Sequence, residues 1–321
     1  MLELGATHYM REKFIGVHAQ KLDIRCKHIK GFSLLELLVV MAVIAVWMAI
    51  IVPASVGVRK DARSVWCMDK QRKIVLGAIS FAAENDCRYP ESVATIGQFG
   101  EYWNWQEPTM LTSYRQRRPQ LRRSMSAYMR SYIPDASIMF CPSAPEKYKY
   151  LQEVWEAGDE WNNPKTPSVQ DPAMGMYCFY WNYIGFLDGR DVPFQGPRSL
   201  GRERGESCLL VSDYFGYGHW RNRLIYNDCK AYGSCERFKG AIVTPGTWVS
   251  SAYWSRWAGD EEISLETLKI KLHAGYTDGH VERYSASEVV PMRVSQTPDG
   301  SIPYPSDLGP GIFYLPRNAL R

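Results

Sequence analysis

The stretch K-G-F-S-L-L-E-L-L-V-V-M-A-V-I-A at residues 30–45 decides how this chain is read, because it opens an apolar run that continues to Val52 and meets Pro53. As a helix, residues 32–52 are about 30 Å long, the thickness of a bilayer's hydrocarbon core. The run predicts a single membrane span. Upstream, Arg11, Lys13, Lys21, Arg25, Lys27 and Lys30 outnumber Glu3, Glu12 and Asp23. The positive-inside bias then keeps the N-terminus in the cytoplasm and exports the chain beyond the span. An ordinary secretory signal is cut beyond its apolar region and discarded, and Glu36 argues against that fate. A carboxylate within an apolar span costs roughly 2.5 to 3.5 kcal/mol on the insertion scale, so it marks a functional partner.

The whole chain has 321 residues, 45% hydrophobic, 22% charged and 13% aromatic, which describes a globular body and excludes a disordered polymer or a polytopic membrane protein. The part beyond Pro53 is long enough for one large domain or two small ones. With 38 basic against 34 acidic residues the net charge is +4, too small to imply nucleic acid as an obligatory partner. Eight cysteines are present and none forms a C-x-x-C pair. Cys229 and Cys235 are the closest two; a disulfide closing a short loop, free buried thiols and a metal site all remain open for them, the metal least favoured. Cys26 precedes the span and stays cytosolic, so the odd remainder leaves at least one thiol free or paired between chains.

Residues 30–45 resemble the cleavage and methylation segment of type IV prepilins and type II secretion pseudopilins. The resemblance implies that a membrane aspartyl prepilin peptidase cuts after Gly31, that Phe32 becomes the methylated first residue, and that Glu36 acts in assembly as the fifth. It implies as partners the peptidase, other pilin or pseudopilin subunits and the inner membrane. Those roles suit the residues. Gly31 lets a protease approach its carbonyl, and Glu36 can neutralise the Phe32 ammonium of a neighbouring subunit when helices pack side by side. Pro53 sits where many family members carry a helix-loosening proline. The leader is longer than in most of the family, and Met10 is an alternative start.

Residues 62–90 are similar to the second half of the helix in a large pilin-like subgroup, and F-C-P-S at 140–143 is similar to that subgroup's later Cys-Pro pair. That resemblance implies a disulfide from Cys67 to Cys141. By periodicity, Ala62, Val65, Met68, Val75, Ile79 and Ala82 form one buried stripe on a helical continuation of the span. Between residues 98 and 165 lie Trp103, Trp105, Trp155 and Trp161 with the basic run at 115–123. These read as core aromatics and a solvated loop, or alternatively as sugar-stacking platforms beside an anion-binding patch.

Strand signals appear after Pro164: the aromatic stretch 174–186, the short buried segment 207–213, and a hairpin over 269–284. Its Asp278-Gly279 turn suggests a two-residue type I′ connection with both positions at positive φ. The hairpin resembles the subgroup's Asp-Gly-His-Val element, whose upstream histidine position is Leu268 here; His273 is nearer and reads as a strand residue. Asp278, His280 and Glu282 alternate onto one strand face, a solvated edge before it is an acid/base site.

No G-x-S-x-G elbow, phosphate loop with lysine, H-E-x-x-H or EF-hand loop is present in the sequence. The expected fold is α+β, a long N-terminal transmembrane-to-periplasmic helix packed on an antiparallel β-sheet body. Its expected parts are a basic leader (1–31), a membrane and assembly segment (32–53), an amphipathic continuation (54–88), an α+β body (89–290) and a Pro/Gly-rich tail (291–321). The expected function is that of a non-enzymatic subunit of a pseudopilus or pilus-like fibre, with no cofactor, metal or catalytic residue. The alternatives are a membrane-anchored carbohydrate-binding module and an anchored hydrolase with carboxylates such as Asp159 and Glu160 at work.

Overall fold

The computed structural model describes residues 33–96, 107–113, 123–141, 150–162, 173–187, 193–201, 203–217, 231–233, 237–238, 241–243, 262–268, 270–293 and 312–320. The chain divides into two compact units, residues 1–56 and 57–321. Helix α1 (Leu34–Glu84) supplies the described part of the first unit and opens the second. From Leu34 to Val52 every side chain is exposed. This is the one helix, among the described residues, long and apolar enough to cross a membrane. Apolar residues on every side need an apolar surround, since one face alone would suffice against a protein core.

In the second unit α1 becomes one-sided. Cys67, Gln71, Ile74, Val75, Ala78 and Ala82 are buried, at spacings of three and four that place them on one helical face. The expected stripe was rotated: Val75 and Ala82 are on the buried face, but Ala62 and Val65 are exposed. The buried face includes a polar residue, Gln71, which a search for apolar spacing alone steps over. Past Glu84, Asn85 Nδ2 donates to the Phe81 carbonyl at 2.7 Å. Asp86 and Cys87 then take φ of 52° and 60°, a left-handed pair that turns the chain out of the helix.

Two short helices come next, α2 (Met125–Met129) and α3 (Leu151–Ala157). Ser124 caps α2, its side chain accepting from the Ser126 N–H. The strands in chain order are β1 (Tyr177–Phe179), β2 (Ile184–Leu187), β3 (Pro193–Gln195), β4 (Leu209–Asp213) and β5 (Phe215–Tyr217). After them come β6 (Ala231–Gly233), β7 (Arg237–Phe238), β8 (Ala241–Val243), β9 (Glu262–Ser264), β10 (Lys271–Tyr276), β11 (Val281–Ser285), β12 (Val289–Arg293) and β13 (Ile312–Pro316).

One sheet runs β1-β4-β10-β11 and a larger one β3-β2-β12-β13-β5-β6-β7, both antiparallel; β8 and β9 form a parallel pair. The architecture is α+β. Its core is aromatic, with Trp155, Trp181, Tyr177, Tyr180, Tyr214 and Phe140 among the fully buried side chains. Large rings of this kind bury much apolar area per residue fixed.

Two expectations need correction. The sequence suggests a tail over residues 291–321, yet β13 lies inside the larger sheet with Phe313, Tyr314 and Leu315 buried. The Pro and Gly around it obscure a short apolar strand that only its neighbours β12 and β5 make evident. The β10–β11 turn is also different from the two-residue form. Gly279 has φ of 90° but Asp278 is not at positive φ, and hydrogen bonds run from Gly279 N–H to Tyr276 O and from Tyr276 N–H to His280 O, both at 3.0 Å. This is a three-residue loop with Gly279 as its left-handed closing residue.

Candidate functional site

The first unit's site is built by four adjacent residues. Ser33 stands immediately before α1 and Glu36 lies in its first turn. Glu36 N–H donates to Ser33 Oγ at 3.2 Å, and Ser33 N–H donates to Glu36 Oε2 at 2.9 Å. This reciprocal pair is a capping box, which satisfies two amides that a helix N-terminus otherwise leaves unpaired. The carboxylate is held at the end of the helix where the macrodipole favours negative charge. The signal is legible as S-L-L-E at residues 33–36, but it is passed over when Glu36 is treated only as a misfit in lipid. Gly31 and Phe32 lie outside the described residues, as do Cys229 and Cys235.

In the second unit, α1 is fastened to the body by covalent and polar links. Cys67 and Cys141 form a disulfide across 74 residues of sequence, with Cα atoms 5.4 Å apart. One turn on, Lys70 Nζ donates to the carbonyls of Ser137 at 2.6 Å and Phe140 at 3.1 Å. Both links tie the helix to the segment that carries Cys141.

A second polar cluster lies where α1 meets β4 and β10. Gly275 allows the approach, because a Cβ there would stand 2.5 Å from Val75 Cγ2. Asp213, at the end of β4, is 1% exposed and His273, on β10, is 2% exposed. Asp213 Oδ1 accepts from Gln71 Nε2 at 2.8 Å. Asp213 Oδ2 accepts from the His273 backbone N–H at 2.9 Å and faces ring Nδ1 at 2.7 Å. In the neutral ring the carboxylate favours the proton on Nδ1, and Nε2 then accepts from Ser64 Oγ, 2.8 Å away. Arg283 Nη2 donates to the same Oγ at 2.8 Å. His273 is a strand residue, as its sequence context suggests, and it carries this polar set as well. Nothing local in the sequence marks the set, since its members are 60 and 209 residues apart.

Other sequence candidates do not converge. Trp155 and Trp161 are core residues, and Trp155 Nε1 donates to the Ile133 carbonyl at 2.8 Å, so neither offers a stacking face; Trp103 and Trp105 lie outside the described residues. Asp159 accepts the Ser124 N–H at 2.6 Å beside the start of α2, a structural use. At the hairpin turn, His280 Nδ1 bonds Asp278 Oδ1 at 2.5 Å and its ring stacks on Tyr276 at 4.6 Å. Tyr276 Oη in turn donates to Glu282. Asp278 and His280 are exposed and Tyr276 is buried, and these groups find their partners within the hairpin apart from Glu282, which also accepts from Asn318 Nδ2 at 3.1 Å.

Residues 26–52 match the family model of the prokaryotic N-terminal methylation motif. The match spans the basic flank, Gly31, Phe32, the Ser33–Glu36 box and the apolar run. The chain therefore carries a type IV prepilin-like N-terminal segment, consistent with a single-pass membrane anchor, and is in that respect pilin- or pseudopilin-like. No curated protein and no solved structure matches the chain.

Proposed function

We propose that the chain is a prepilin-like subunit, cleaved after Gly31 and N-methylated at Phe32 by a prepilin peptidase. It is held in the inner membrane by residues 32–53 with its body on the periplasmic side. There it joins other pilin or pseudopilin subunits in a type II secretion pseudopilus or a type IV pilus-like fibre. Its contribution to that fibre is structural, the packing of helices. The observation that carries this reading is the methylation-motif match over residues 26–52, coinciding with a helix that exposes every side chain from Leu34 to Val52. Such a surface is stable only in lipid or against other apolar helices.

Intact-mass and N-terminal analysis of the protein recovered from membranes tests it. The expected product begins with N-methylated Phe32 and retains the apolar run. A chain that keeps its leader, or that has lost the run, would falsify the reading. Replacing Gly31 with a bulky residue should block processing, whereas Glu36→Ala should allow cleavage and impair methylation or assembly.

A further inference from the structure

The Ser64–His273–Asp213 set lies outside the residues that the methylation motif covers, and its geometry is that of a proton relay. Three features distinguish it from an ordinary buried histidine. Asp213 favours one tautomer of the neutral ring by a 2.7 Å contact to Nδ1, and is itself fixed by Gln71 and by the His273 backbone amide. The ring nitrogen left without a proton faces a hydroxyl at 2.8 Å. That hydroxyl oxygen also receives a hydrogen bond from the Arg283 guanidinium, so its own proton is directed at His273 and positive charge stands beside any alkoxide that forms. Ser64 is half-buried, while His273 and Asp213 are shielded. A nucleophile needs that arrangement: an accessible oxygen, a sheltered base, and a carboxylate that orients the base. The constellation is recognised by geometry and roles, and it recurs on unrelated folds without a shared sequence motif.

We propose that Ser64, His273 and Asp213 form an acyl-transfer centre, with Ser64 Oγ as nucleophile toward carboxylic esters, His273 Nε2 as general base and Asp213 as the residue that positions it. In the first half-reaction Ser64 Oγ bonds to the ester carbonyl carbon and its proton passes to His273 Nε2. The carbon–alkoxy bond then breaks, and His273 returns the proton to the departing alcohol. In the second half-reaction a water gives its proton to His273 and attacks the acyl carbon. The carbon–Oγ bond breaks, Ser64 recovers the proton and a carboxylic acid leaves. Arg283 acts electrostatically, offsetting the negative charge that appears near Oγ. This goes beyond the assembly reading and does not depend on it.

The test uses the full-length chain in detergent micelles, treated with an alkyl fluorophosphonate and mapped by peptide mass. The expected result is one adduct per chain, on Ser64. Its rate of formation should fall by roughly 100-fold or more in His273→Gln, the range a positioned general base supplies. Asp213→Asn should slow it comparably, provided that variant retains the Cys67–Cys141 disulfide and the wild-type circular dichroism. Ser64→Ala, a small change at a half-buried position, should fold normally, take no adduct and release no nitrophenolate from p-nitrophenyl acetate above background. Three outcomes overturn the proposal: disulfide-bonded wild-type protein that stays unlabelled after exhaustive exposure, an adduct on another serine, or labelling that proceeds unchanged in a folded His273→Gln chain. A relay that served only to tie α1 to β10 would give the first of these.

Discussion

Between Leu34 and Val52, α1 is apolar on all sides and exposes all of them, whereas between Cys67 and Ala82 it buries one face and leaves Arg72 and Lys73 on the other. The first stretch is indifferent to which apolar residue stands where, because lipid or a neighbouring helix is a forgiving partner. The second meets a specific surface, with a disulfide, two carbonyl contacts from Lys70 and a buried amide–carboxylate bond from Gln71. Substitutions should therefore act on different observables: body stability in one stretch, processing and assembly in the other.

The largest effect should come from removing the disulfide. Closing a loop of 74 residues restricts the unfolded chain by about 4 kcal/mol in the loop-entropy model. The Cys67→Ala/Cys141→Ala chain should show that loss in urea unfolding followed by tryptophan fluorescence, while its membrane insertion stays unchanged. Asp213→Ala should come next, at about 3 kcal/mol, because it strands two His273 donors in a dry interior and leaves the Gln71 amide only its longer bond to the His273 carbonyl. Unfolding unaltered by either change would mean that the second stretch is held no more specifically than the first. Below these stands a matched pair. Val75→Ala removes a fully buried side chain and should cost the body about 2 kcal/mol, whereas Val43→Ala should leave the body's unfolding midpoint where it was.

The same contrast explains which features are legible in the sequence. The span and Glu36 are legible because their physics is local: length, charge bias and a single acidic misfit. The buried face of the second stretch is only half legible. Apolar spacing finds Val75 and Ala82 but cannot admit Gln71, whose burial makes sense only once Asp213 is opposite it. Strand β13 is hidden for a related reason, since five residues among prolines and glycines become a strand through pairing with β12 and β5. Ser64, Asp213 and His273 come from three distant elements, so no window of sequence contains the relay. The capping box is the exception: it is local and readable, and without it Glu36 has one explanation where it should have two.

Those two explanations separate at the smallest predicted effect. Ser33→Ala removes the hydroxyl that accepts the Glu36 N–H, at a cost of about 1 kcal/mol to the first turn. Hydrogen exchange should register it as a roughly fivefold faster rate at the Glu36 and Leu37 amides, with no change in the body. Glu36→Gln is the complementary change, because glutamine can still accept from the Ser33 N–H in a capping box but carries no charge for a neighbour's ammonium. Exchange at the first turn should then stay close to wild type while assembly fails. If Glu36→Gln assembles normally and Ser33→Ala does not, the residue's contribution is to fix where the helix begins. Charge pairing between subunits would then no longer be needed to explain a carboxylate at the head of an apolar helix.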